Sequence, residues 1–245
     1  QDVGGRSWFL YPIERLKGVS GHSDTSPGWS QRLDLRPGQI LWEVQESYQP
    51  PSAVEKLGHG PLEYTAVWQL AQRMSERPVK FGSVSAQTIP SMLWNEAYND
   101  ERELILDLAD IVNQELRALA AAGCPVIQVE EPQHHFRSLN PKTSKEDMEF
   151  FNEAFNREVA GVETEIWVHT CWGNPNMQRV IENDSYRESF ELYLNACKGD
   201  VWTVEMTDRN FREIDLFGSM KGRLPKKICV GAVSHRSLQV DSPED

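Results

Sequence analysis

From Val79 onward the chain repeats one motif, a short apolar run followed by a longer stretch with helical spacing. The runs fall at residues 79–84, 125–130, 165–171, 200–205 and 227–233. Between them the spacing predicts helices over 100–122, 145–159 and 176–197, and a short helical link over 211–220. No other feature constrains the fold as strongly. Short, nearly continuous apolar runs are the mark of strands buried on both faces. Strands that alternate with helices build a parallel sheet, either doubly wound or closed into a (β/α)8 barrel.

The helix over 100–122 is the clearest. Asp100 and Glu103 have the spacing of a capping box, Gly123 is a stop, and Leu104, Leu108, Ile111, Val112, Leu116 and Leu119 form one apolar stripe. The first 50 residues are less regular. Residues 7–16 are apolar and aromatic and lead into a short helix, and residues 18–36 read as loop. Residues 39–46 and 53–57 are expected to pair as strands across Pro50-Pro51, and a helix follows over 61–77 with Pro near its start.

Polar residues separate the two architectures. Ser83 and Ser85, Glu130 and Glu131, His169 and Cys171, Glu205, and Ser234 with His235 all fall at the C-terminal ends of successive strands. Reactive side chains on strand after strand match the active face of a barrel, whereas a doubly wound sheet concentrates its site at one switch point. The expected fold is therefore a TIM (β/α)8 barrel, a single domain over 1–245, with about five of the eight strands evident.

Bulk properties narrow the partners. Net charge is −12 over 245 residues with no basic run, which argues against nucleic acid and anionic membranes. No apolar stretch is long enough to span a bilayer, and four scattered cysteines make no disulfide framework. A reducing cytoplasm is expected.

His169 and Cys171 stand two apart on a strand and so point the same way. They are either a buried thiol beside a hydrogen-bonded histidine or two donors suited to a borderline-soft ion such as zinc. Glu205 favours the metal: a carboxylate at the end of an apolar strand needs a compensating charge, and a metal on the neighbouring strand supplies it. Cys229, placed near the start of its strand, is expected at the opposite end of the barrel, and it is read with Cys124 and Cys197 as structural. Of the adjacent Glu130 and Glu131, one points inward toward a substrate amine and the other toward the helices, where it can orient a loop or a histidine. His134 and His135 are expected at the surface. His235 is suited to general acid–base work. Trp94 or Trp172 could offer a stacking face to a donor.

Five stretches in order resemble the cobalamin-independent methionine synthases and their shorter homologues: residues 77–84, 127–132, His169-Thr170-Cys171, Thr203-Val204-Glu205 and Val233-Ser234-His235. The resemblance spans roughly residues 7–243. It implies a zinc enzyme on a TIM barrel that moves a methyl group, with 5-methyltetrahydrofolate the expected donor, to the thiol of homocysteine or a related thiol. It implies His169, Cys171 and Glu205 as metal ligands and Glu130 as the residue that holds the amino-acid thiol; Glu131 and Ser83, at strand ends, are taken with Glu130 as candidate substrate-binding residues. His235 corresponds to the proton-donating histidine. Zn2+ is the implied cofactor, its fourth ligand a cysteine expected outside this segment, which reads as the middle of a longer polypeptide. Glu130 stands where the family usually has Asp, and Gly82-Ser83-Val84-Ser85 departs from Gly-Pro-Val-Thr. A related zinc-thiolate alkyltransferase, such as an epoxyalkane–coenzyme M transferase, and a catalytically silent paralogue remain open.

Overall fold

A computed structural model describes residues 10–21, 37, 50–173, 185–207, 210–224, 226–234, 236 and 240. The N-terminal part holds a short helix α1 (Leu10–Ile13) and strands β1 (Lys17–Ser20) and β2 (Ser52–Gly58), followed by helix α2 (Tyr64–Arg73). Strand β3 (Phe81–Val84), a 3-10 turn at Ile89–Met92 and a two-residue strand β4 (Trp94–Asn95) lead to the long helix α3 (Glu101–Ala121). Then come β5 (Val126–Glu130), α4 (Pro132–Ser138), α5 (Lys145–Glu158) and β6 (Glu165–Thr170). Helix α6 (Arg187–Ser189) continues as a π-helical turn at Phe190–Leu194, and β7 (Val201–Glu205), α7 (Ile214–Ser219) and β8 (Lys227–Gly231) complete the series.

The expected parallel sheet is present, in the order β3-β5-β6-β7-β8, with every described pairing parallel. These are the five strands that the apolar runs predict. Among the described residues the sheet is open, with no pairing between β3 and β8. A second, three-stranded sheet orders β1-β2-β4. The strand expected at 53–57 is thus β2, antiparallel to β1 and parallel to β4; its expected partner, 39–46, lies outside the described residues. Gly60 lets the chain leave β2 against the turn after α1, because a Cβ there would sit 1.7 Å from the Arg15 carbonyl oxygen.

Helix α3 supplies much of the core. Its whole predicted stripe is buried, packed on α2, α5 and β2. Each fully buried leucine contributes about 1.5–3 kcal/mol. Asp100 caps the helix by accepting from the Arg102 amide, but Glu103 turns outward to Lys56 Nζ (2.8 Å) instead of back to the cap. The complete capping box belongs to α5, where Ser144 and Asp147 satisfy each other's backbone amides.

The strands are not buried equally on both faces. Ile127, Val129, Ile166, Val168, Trp202 and Val204 form the buried face against the helices, while Gln128, Glu130, Trp167, His169 and Thr203 on the other face are only half-buried. That second face carries the polar and ionisable side chains of β5, β6 and β7.

Candidate functional site

The register sets the site. Glu130 on β5 pairs with His169 on β6, which pairs with Thr203 on β7, which pairs with Cys229 on β8. Paired residues share a face, so these four side chains stand in one row near the C-terminal ends of the strands. Cys229 is therefore level with His169. Pairing with Thr203 carries it two residues into its strand, not to the opposite end that its place in the sequence implied.

A chain of polar contacts leads along this face of the sheet to His169. Lys80 Nζ donates to Gln128 Oε1 (2.7 Å) and rides 4.4 Å over the Trp167 ring; Gln128 Nε2 in turn donates to Glu130 Oε1. Glu130 Oε2 lies 3.7 Å from His169 Nε2. On its other side, His169 Nδ1 meets Thr203 Oγ1 at 3.3 Å, and that hydroxyl donates to the Val168 carbonyl (3.2 Å). The threonine is thereby turned to accept from Nδ1–H and leave Nε2 facing the Glu130 carboxylate. Burial opposes a charge on His169. The charges of Glu130, Cys171 and Glu205, with a hydrogen bond to Cys171, outweigh it and raise the pKa to about 9. Cys171 is buried, and its sulfur accepts from the Gly173 amide at 3.4 Å.

Glu205 is the turning point. Its carboxylate does face this cluster, but its compensating charge is Arg236. The Arg236 Nε donates to Glu205 Oε1 and Nη2 to Oε2 (2.8 Å), and the Trp172 amide adds a contact to Oε2 at 3.3 Å. The two side chains are 8% and 7% exposed. Burial of Glu205 alone therefore does not call for a metal.

The zinc ion that the resemblance implies can be tested against these contacts. The donor types suit zinc, His169 and Cys171 stand two residues apart at the end of β6, and the Nδ1–Thr203 contact is the outer partner a ligating histidine needs. Glu205, however, is gripped by Arg236, and among the described residues no group of three or more His, Cys, Asp or Glu is close enough to hold a metal ion. Two donors fit as they stand; the third is engaged.

The other predicted residues separate. Ser83 pairs with Val129 and is 1% exposed, so it faces the helices, where its hydroxyl donates to the Val84 carbonyl (3.3 Å), and not the face that carries His169. Its neighbour Val84 takes the inward place beside Glu130. Glu131 is fully buried behind the sheet, caps α4 through the His134 amide (3.2 Å) and lies 3.7 Å from His134 Nδ1. Strand alternation sends Glu130 to one face and Glu131 to the other, so Glu131 lies beside His134 and away from the face that carries His169. His134 and His135 are both fully buried, contrary to the surface position expected, because α4 packs its first turn onto the sheet. His135 meets the rings of Trp172 (4.6 Å) and Tyr186 (4.8 Å) and bonds Ser189 Oγ. Trp172 is completely buried in that stack and offers no open face. Cys197 lies in the same layer, 3.3 Å from Asn152 Oδ1, and burial raises its pKa well above the usual thiol range. His235, the expected proton donor, lies outside the described residues.

Parallel strands flanked by helices, with ionisable side chains gathered at the strand C-termini, define a protein of the α/β-barrel class. The chain superposes on a B12-independent methionine synthase from a Shewanella species, solved in complex with selenomethionine, with a TM-score of 0.71 at 19% identity, covering 94% of this chain and 62% of that one. Against a putative vitamin-B12-independent methionine synthase from Listeria monocytogenes the TM-score is 0.61 at 13% identity, with coverage of 95% and 63%. These likenesses concern the fold. Residues 44–245 match the model of the family described as cobalamin-independent synthase, catalytic domain, and the chain belongs to that family. Methionine synthase of Sulfurisphaera tokodaii is 26% identical over 199 residues, covering 81% of this chain and 52% of the relative. That of Pyrococcus furiosus is 26% identical over 195 residues, covering 79% and 51%. The chain thus spans about half the length of the curated relatives it matches. Among the described residues no helix is long and apolar enough to cross a membrane.

Proposed function

We propose that this chain carries part of the active site of a cytoplasmic methyltransferase that methylates the thiol of homocysteine or a related thiol. The observation that carries the reading is the row Glu130, His169 and Thr203 with Cys171 and Glu205, at the C-terminal ends of three adjacent parallel strands. That is the end at which barrel enzymes place their chemistry.

In this reading His169, Cys171 and, once Arg236 releases it, Glu205 would hold zinc, with a fourth ligand from a segment outside these residues. The chemistry that zinc would supply there is a lowered thiol pKa, so that a thiolate nucleophile would be available at neutral pH. Glu130, steadied by Gln128, accepts the ammonium group of the amino-acid thiol. Thr203 keeps His169 in the tautomer that presents Nε2. In the transfer, sulfur donates an electron pair to the methyl carbon and a carbon–sulfur bond forms. The bond between that carbon and the donor nitrogen breaks, with 5-methyltetrahydrofolate as the proposed donor, and His235 returns a proton to the nitrogen.

The test is a transfer assay on the full-length protein with labelled methyl donor, run beside metal analysis. About one zinc per chain, lost on Cys171→Ser together with thioether formation, is the expected result. Protein that holds no zinc and turns over no thiol would refute it. The hold of Arg236 on Glu205 favours a second reading, a silent paralogue with a closed site. It predicts folded protein and no turnover.

A further inference from the structure

The Arg236–Glu205 pair has a chemical consequence for the proposed metal site. A carboxylate offers about four lone-pair positions. Arg236 Nε and Nη2 and the Trp172 amide take at least three on Glu205. A two-point guanidinium fork also covers the edge of the carboxylate from which a metal ion approaches. Arg236 Nη2 donates as well to the carbonyl of Gly173, two residues beyond Cys171. One side chain thus ties the end of β7, the segment after β6 and the segment after β8 together.

We infer that Arg236 is a displaceable latch: it serves Glu205 as counter-ion in the metal-free protein and must release at least one carboxylate oxygen before Glu205 can join His169 and Cys171 on a metal. The inference rests on the proposed metal site. Occupancy and the latch oppose each other, so the wild-type protein binds metal more weakly than a variant without the fork. Its release also frees the Gly173 carbonyl, which couples metal entry to movement of the segment beside Cys171.

The experiment titrates Zn2+ alone into the full-length protein against a chromophoric chelator, with Co2+ absorption from thiolate charge transfer reporting Cys171. Arg236→Gln is expected to tighten binding about ten-fold or more, a difference of about 1.4 kcal/mol. Arg236→Lys, which keeps a charge but cannot span both oxygens, is expected to fall between, and it decides the matter alone if the Gln variant does not fold. Equal or weaker binding in the variants, with the Co2+ band still dependent on Cys171, overturns the latch and spares the metal site. Absence of Cys171-dependent binding in the wild type and in both variants overturns the two together.

Discussion

Removing one partner of the Arg236–Glu205 pair should destabilise the metal-free protein far more than removing both. Each side chain is over nine-tenths buried, so removing either one takes the guanidinium–carboxylate fork away from a charge that stays in a low-dielectric site. Such a loss typically costs about 3–5 kcal/mol, whereas replacing a buried pair with apolar residues of similar volume is often close to neutral. The two charge-assisted bonds, at roughly 1.5–3 kcal/mol each, bracket the same range. Against a domain stability of about 5–15 kcal/mol, Arg236→Met and Glu205→Leu should each bring the chain near the edge of unfolding. The double variant should recover most of the loss. The assay is urea denaturation followed by tryptophan fluorescence with a chelator present, with the slope m compared across the set so that midpoint shifts report stability. A single variant that loses less than about 1 kcal/mol would refute the reasoning, because exposed pairs behave that way. So would a double variant no better than the sum of the singles.

Three other outcomes are expected. Burial and the neighbouring Glu131 raise the pKa of Glu158 well above its ordinary value, partly opposed by the Ala86 amide that Oε2 accepts at 3.1 Å. The folded state therefore binds this proton more tightly than the unfolded state, and the stability it contributes is full below the ordinary carboxylate pKa and lost as pH rises. Glu158→Gln, which keeps an acceptor for Ala86, should gain on the wild type as denaturation is moved from pH 4 to pH 7.5; parallel pH profiles would contradict this. Ser144→Ala removes the cap of α5 and should cost about 0.5–2 kcal/mol in the same urea assay. Thr203→Val keeps the shape but removes the oxygen beside His169 Nδ1, and under the metal reading should weaken zinc binding about 10–100-fold with little change in the urea midpoint.

What could be read in advance was what depends on neighbours along the chain. The stripe of α3 was legible because helical periodicity repeats every few residues, and the five strands because each is a continuous apolar run. His169 and Cys171 were legible as a pair because strand alternation is a local rule. The same rule predicted that Glu130 and Glu131 part company. It did not say which way Ser83 points, because that depends on how β3 is set against β5. The buried His134 and His135 were missed because a polar dipeptide carries no sign of the Trp172 and Tyr186 rings that cover it.

Sequence by itself therefore determined the order of elements, the class of sheet and the end of the strands where ionisable groups gather. Tertiary structure alone decided how those groups pair. Interstrand register placed Cys229 level with His169, and the path of the chain after β8 brought Arg236 onto Glu205, 31 residues away. An arginine beside a candidate histidine gives no signal of its target, since a charge finds its partner by distance in space and the low dielectric of a buried site, neither of which spacing along the chain encodes. The buried carboxylate was correctly read as needing a cation. Which cation it holds was a matter for the fold.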